Sequence, residues 1–515
     1  MLIPSIKNKK KSLIISILLI VLSLIFSFSC NEIIDDEIVF LEPVDWTIMI
    51  YADGDNDLES FLMTDIDEMK KGYINGQGLN LIVMIDRIPG YSADRDVLNE
   101  NFTDTRLYHI TNNNATRIGG GLEYPEITKT SKHEANMGDP DTLRKFINFS
   151  KNHFPADHYA LILWNHGDGA RSKGNNNNHD SNTHNKAICY DDTDGRDALY
   201  CAEITDGLTG DESVDLLGFD ACFMGSVEVA YQYRPGNGDF NAQIMVASPP
   251  EEWGYGWSYD QILKRIQSGG GNNRETDSIV GGLENFYDPA TMTAQQLGSI
   301  ILEEQYDSTA NATSEAMSCY DLSKVNAVKE AVDTLAINLY NQNKKEDIEA
   351  IRGSYPYPSP NTIHYFNSYD NEAWIIFPYF DLYDLCSNIL ESNDFNLTIK
   401  ENATAVMTTV DDMITYSFAN SYYSGFSNGK NGIHIFLPNG DNTVNGNLTH
   451  WAYQWWYNSI NTNDVYGAGF YYGNLSWCFN GATPHNNGVE NWFEMLDAWF
   501  DPLNDASGGV NAYQW

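Results

Sequence analysis

Positive charge is scarce in this chain of 515 residues: 30 lysines and arginines stand against 71 aspartates and glutamates, a formal net charge of −41. Residues 1–29 hold four of the lysines and no acid, so the remainder carries 26 basic residues and a net charge of −45. Such a surface repels nucleic acid and anionic membrane and attracts cationic partners. There is also no internal repeat, no Walker-type phosphate loop and no His-Glu-x-x-His zinc spacing. Phosphate-loop nucleotide chemistry, nucleic-acid binding and zinc hydrolysis of that type are therefore excluded, and no metal ligands are assigned.

The longest apolar run lies at the start. Lys7, Lys9, Lys10 and Lys11 precede residues 13–28, which end in Ser27-Phe28-Ser29-Cys30. A basic segment, an apolar segment and a small residue before the cut are the layout of a secretory signal. The cysteine that follows predicts lipidation at Cys30, which becomes the mature N-terminus in a bacterial envelope or at the cell surface. An uncleaved signal anchor is the other reading, although the run is short for a membrane span. Residues 30–45 read as an acidic, lipidated tether, 46–270 as the main α/β core, and 271–515 as a C-terminal α+β region.

Within the core, residues 46–51, 79–86, 159–164, 214–219 and 243–247 are short apolar runs separated by helical spacing, with a hairpin expected near 107–118. Near-continuous apolar strands alternating with helices predict a mostly parallel sheet covered on both faces. Asp139-Pro140 is a capped helix start with proline in the first turn. Acids at 53, 55 and 57 suggest a calcium loop, but an EF-hand needs an acid at position 64, which is Thr64. Helix N-capping by an aspartate is the preferred reading. The loop at 174–185 is low in complexity, and its His179 and His184 are expected to be solvated rather than metal-bound. Helical spacing returns at 322–339 and 406–414, and the tail is rich in aromatics, among them Trp451, Trp455, Trp456, Trp477, Trp492 and Trp499.

Ligands gather at the carboxyl ends of parallel strands. The run at 159–164 ends in Asn165-His166-Gly167, and the run at 214–219 ends in Asp220-Ala-Cys222 before a segment of helical spacing. A thiol at a helix N-terminus is expected to have a lowered pKa, and His166 is the expected base. Cys222 attacks a carbonyl as the thiolate, while the backbone N–H groups of Gly167 and Cys222 take the developing oxyanion. With Cys30 lipidated and Cys222 free, five cysteines remain. That odd count argues against a complete disulfide framework and leaves one bridge, Cys189–Cys201, open.

These motifs carry a resemblance. Residues 46–59, Asn136-Met-Gly-Asp-Pro140, Leu161-Ile-Leu-Trp-Asn-His-Gly167, Gly218-Phe-Asp-Ala-Cys-Phe-Met-Gly225 with Glu228, and the block from Ser248 to Gly256-Trp257-Ser-Tyr259 resemble the clostripain family of cysteine peptidases. Phe380-Asp-Leu-Tyr383 and Gly432-Ile-His-Ile-Phe-Leu-Pro438 are similar to later family segments. The resemblance implies a caspase-like α/β fold, related to gingipains and legumain, and endopeptidase activity after Arg or Lys. It implies no required cofactor and leaves calcium open, because some relatives use it. Asp220 matches a position lining the first specificity pocket, where a carboxylate pairs with a P1 cation. In one departure, Pro249-Pro250 follow Ser248 where the family commonly has acids, and Glu251-Glu252 come next. Glu251, Glu252 and Trp257 are therefore assigned to substrate binding with Asp220. Self-cleavage is expected at Lys186-Ala187, with Lys173 and Arg196 as further basic sites. The competing reading is an inactive adhesion lipoprotein on the same scaffold.

Overall fold

The computed structural model describes residues 42–170, 188–236, 238–268, 286–309, 314–353, 362–366, 377–438, 441–444, 447–450, 472–478 and 489–500. Cys30, Lys173, His179, His184, Lys186, Ala187, Trp451, Trp455 and Trp456 lie outside them. The segment up to Glu42 is a separate unit, and everything below concerns the unit from Pro43 onward.

Thirteen strands position the site: β1 (Val44–Gly54), β2 (Leu79–Arg87), β3 (Arg106–Thr111), β4 (Asn114–Ile118), β5 (Ala156–Trp164), β6 (Ile188–Asp191), β7 (Asp197–Leu199), β8 (Val214–Asp220), β9 (Ala242–Ala247), β10 (Ala316–Asp321), β11 (Tyr379–Asp381), β12 (Ile414–Ala419) and β13 (His434–Phe436). Nine of them form one sheet in the order β12-β10-β9-β8-β5-β1-β2-β3-β4. The central five, from β9 to β2, run parallel, and antiparallel strands close both edges. This is the mostly parallel α/β sheet expected from the apolar runs, whose side chains are buried on both faces as parallel pairing demands.

Helices cover the two faces. Met49, Leu161, Leu217 and Met245 face a core that Phe146 and Val227 complete, while Ile48, Ile50 and Ile162 face a second core with Leu62, Ile66 and Leu297. Helix Pro140–His153 starts as expected, with the Asp139 carboxylate accepting from the Asp141 N–H and proline in the first turn. Helix Glu59–Gly72 does not: its N-cap is Leu58, which makes no side-chain cap. The acids at 53, 55 and 57 do other work, described below.

The chain beyond 270 is not a body apart from this sheet. β10 pairs with β9, β12 pairs with β10, and helices Val325–Asn341 and Leu397–Met413 pack into the same core. Cys189 and Cys201 do not form a bridge; both are buried free thiols.

Candidate active site

The register of β5 against β8 sets Trp164 beside Asp220, so Asn165-His166-Gly167 and Ala221-Cys222 leave the sheet side by side. Contact between the two loops is close: a Cβ at Gly167 would collide with the Cys222 carbonyl oxygen and lie 3.2 Å from the Cys222 nitrogen. Glycine is the residue that permits this approach. His166 and Cys222 line one cleft of about 380 Å³, together with Trp164, Asp220, Glu251, Glu252, Trp253 and Gly256. Two side chains separated by 56 positions are thereby brought to one opening.

The turn after β8 presents the sulfur. Phe223 adopts φ 61°, a left-handed value costly for an aromatic residue. Its N–H donates to the Pro250 carbonyl at 2.9 Å, and its ring stacks on Phe377 at 5.0 Å. The next helix begins only at Val227, behind the Ser226 cap. Cys222 therefore sits five residues before a helix of six residues, and the expected lowering of its pKa by a helix N-terminus does not arise. Burial, with the charges of Glu252, Glu251 and Asp168, pushes the thiol well above its ordinary value. The one effect working the other way is the Glu252 N–H, 3.2 Å from Sγ.

Acids crowd the inner end of the cleft. Asp220 Oδ2 accepts from Tyr259 Oη at 2.8 Å and from the Trp257 N–H at 3.2 Å. Glu252 Oε1 accepts from Trp257 Nε1 at 2.8 Å, leaving Oε2 buried without a partner. Asp65, from helix Glu59–Gly72, accepts from Trp164 Nε1 at 2.7 Å, and its Oδ1 is likewise unpartnered. A Cβ on Gly256 would lie 2.5 Å from Asp65 Oδ2 and 3.2 Å from Asp220 Oδ2, so both carboxyls close on that glycine. Glu315, just before β10, is fully buried with Oε2 unpartnered. Among the described residues no lysine or arginine pairs with any of these four acids. Burial raises Asp220 to about 7 and, with the charge of Asp220, Glu315 to about 8.

Glu251 and Glu252, directly after Pro249-Pro250, both line the cleft. Trp257 does not line the cleft: it is 0% exposed, packs over Gly218, and holds Asp220 and Glu252 through its N–H groups. Trp253, 46% exposed, lines the opening instead.

The first loop adds a contact the sequence did not show. His166 Nε2 lies 2.7 Å from Asp57 Oδ1, and Asn165 Nδ2 donates to the Asp53 carbonyl at 2.6 Å. Behind it, Asp55, Asp86 and Glu134 each bring a carboxylate oxygen within 4.8 Å of the others, the one grouping among the described residues that could hold a metal ion. From the far end of the chain, Tyr379 Oη donates to the Asp168 carbonyl and His434 Nε2 lies 2.8 Å from the Phe223 carbonyl. β11 and β13 therefore brace the His166 loop and the Cys222 loop together.

Residues 50–499 match the model of the clostripain family. Clostripain from Hathewaya histolytica is 51% identical over 481 residues, covering 91% of this chain and 89% of that protein. Among solved structures, a secreted C11 cysteine protease from Bacteroides thetaiotaomicron, in complex with an irreversible peptide inhibitor, is 18% identical at a TM-score of 0.48, covering 76% of this chain and 92% of that one. An inactive zymogen C11 protease from Parabacteroides distasonis is 18% identical at a TM-score of 0.49, covering 78% and 94%. With half its residues shared along nearly the whole of a curated relative, this chain belongs to the clostripain family of cysteine endopeptidases.

Proposed function

We propose that this endopeptidase cuts peptide bonds after arginine or lysine, with Cys222 as nucleophile and His166 as general base and acid. The supporting observation is that Cys222 and His166 share one cleft with Asp220 and Glu252, acids that no lysine or arginine among the described residues pairs with. A guanidinium or ammonium entering beside Asp220 and Glu252 meets two buried carboxyls, of which Glu252 keeps Oε2 without a partner, and charge-assisted hydrogen bonds result. The same cation offsets the negative field that keeps the Cys222 proton in place. Substrate binding and thiol activation are thereby linked.

His166 then takes the Cys222 proton as Sγ bonds to the scissile carbonyl carbon. The oxyanion is met by the amides of Gly167 and Cys222, each such donor contributing about 2.7–4 kcal/mol to the transition state. His166 returns the proton to the leaving amine, and water hydrolyses the thioester. The test uses short peptides with Arg, Lys or Gln at P1 under reducing conditions. Wild type should turn over the first two, Cys222→Ala and His166→Ala neither, and Asp220→Asn should lose basic preference through KM. Equal turnover of the Gln peptide removes the P1 assignment, and activity in Cys222→Ala removes the nucleophile.

Two finer features rest on sequence alone. Self-processing at Lys186-Ala187 is read from a basic residue at the end of the low-complexity stretch between His166 and Cys222; intact mass of wild type and Cys222→Ala tests it, since cutting in both or neither ends the claim. Export and anchoring through lipidated Cys30 are read from the N-terminal segment; the mass of the mature N-terminus tests them. No described helix is long and apolar enough to cross a membrane.

A further inference from the structure

The loop after β9 turns back on itself at Trp253-Gly-Tyr-Gly256, where the Gly256 N–H donates to the Trp253 carbonyl at 3.1 Å. Aromatic residues and glycines alternate along this turn, and each glycine faces a side chain of helix Glu59–Gly72. A Cβ on Gly256 would collide with Asp65 Oδ2, and a Cβ on Gly254 would lie 3.3 Å from the Phe61 ring. Phe61 and Asp65 are four residues apart, so they stand one above the other on one helix face. The lower level is the acidic end of the cleft. The upper level is aromatic: there the Tyr255 ring meets the Phe61 ring edge-on at 5.6 Å.

Six large apolar side chains are well exposed among the described residues, and Trp253 and Tyr255 are two of them, at 46% and 73%. One such residue needs no explanation, but two on a single tight turn, backed by a third ring, make a patch. The patch is continuous with the cleft. Trp253 and Gly254 line the cleft from the turn, and Leu58 lines it from the segment that leads into the helix. Tyrosine and tryptophan offer large rigid surfaces with few rotatable bonds, so a ligand that covers them orders little.

We propose that Trp253, Tyr255 and Phe61 form a second specificity subsite, which takes an apolar side chain, best an aromatic one, directly N-terminal to the basic residue of the substrate. The sulfur gives the direction. Cys222 Sγ lies 3.2 Å from the Glu252 nitrogen, so the scissile carbonyl is attacked beside residue 252. With the basic side chain down against Asp220, the backbone on the amino side of the cut passes the next loop residues, 253–255. The carboxyl side belongs to His166, which protonates the leaving amine. This inference rests on the reading of the cleft as the site of cleavage after Arg or Lys.

Peptides of the form Gly-Gly-X-Arg with an aminocoumarin leaving group have no residue after the cut, so they read X alone. In wild type, kcat/KM with X = Phe should exceed that with X = Gly about 10-fold, mainly through KM, the scale set by one apolar side chain in a pocket. Tyr255→Ser, a change at an exposed position, should cut that ratio to about 2-fold, and Tyr255→Phe should restore it. Equal rates for Phe and Gly in wild type, an equal gain with X = Lys, or a loss in Tyr255→Ser that is the same for Phe and Gly overturns the subsite and leaves the cleavage reading intact. If wild type cleaves none of the series, the cleavage reading falls instead. Calorimetric binding of the acetylated Gly-Gly-Phe-Arg and Gly-Gly-Gly-Arg amides to Cys222→Ala then decides the subsite: tighter binding of the first upholds it, and no difference overturns it.

Discussion

His166 Nε2 and Asp57 Oδ1 are 2.7 Å apart, joining the loop after β5 to the loop after β1. The Asp57 side chain is half exposed and the imidazole largely covered. Asp57 acts through the histidine, fixing its ring rather than touching substrate. Asp57→Asn should lower kcat about 10-fold, a part of the ~10²–10⁴ that a positioned acid–base group supplies, with KM unchanged. Asp57→Glu should restore part of it. A KM effect with kcat intact would place Asp57 in substrate binding.

Asp220 and Glu315 bind protons more tightly in the folded chain than in the unfolded one, through burial first. The sign follows: their contribution to stability is full below the ordinary carboxylate range and lost as pH rises through about 7 for Asp220 and about 8 for Glu315. Thermal scans of Cys222→Ala should show Tm falling from pH 5 to pH 8. Asp220→Asn should flatten that slope, and benzamidine, a cation for the pocket, should recover stability most at the higher pH. A slope that Asp220→Asn leaves unchanged would assign the pH dependence elsewhere.

Much of this was legible beforehand and some was not, for physical reasons. The parallel strands were readable because burial on both faces leaves unbroken apolar runs such as residues 159–164, and the helix start at Asp139-Pro140 because cap and proline act locally. Asp65 carried a usable signal: it falls among Leu62, Ile66 and Met69 on the buried face of helix Glu59–Gly72, and an acid on a core face is costly unless it has a task. Glu315 and the Asp57–His166 contact had none, since each depends on two segments meeting at long range. The thiol's surroundings were not legible because helical spacing sets in directly after Cys222, whereas the turn runs on to Ser226 before the helix forms.

Cys222 is held protonated by burial and by Glu252, Glu251 and Asp168. Its alkylation by iodoacetamide, followed by mass spectrometry, should rise with an inflection above the ordinary thiol range. Benzamidine at saturation should move the inflection down by shifting the local charge, even while it narrows access. Because the other five described cysteines are buried, Cys222 should be the residue labelled first. An inflection at or below the ordinary value would show that the field is not suppressing the thiolate.

A fragment ending at residue 270 tests the unity of the sheet. It keeps His166 and Cys222 but loses β10 and β12, exposing the free edge of β9, and loses the Tyr379 and His434 contacts to the carbonyls of Asp168 and Phe223. An apolar edge strand of that kind favours aggregation over a stable monomer. The fragment should be insoluble or lack a cooperative thermal transition. In the full chain, Tyr379→Phe removes one hydrogen bond and should lower Tm modestly, by about 0.5–1.5 kcal/mol of stability. A soluble, cooperatively folded and active fragment would show that the strands after residue 270 are an accessory to the site rather than its outer wall.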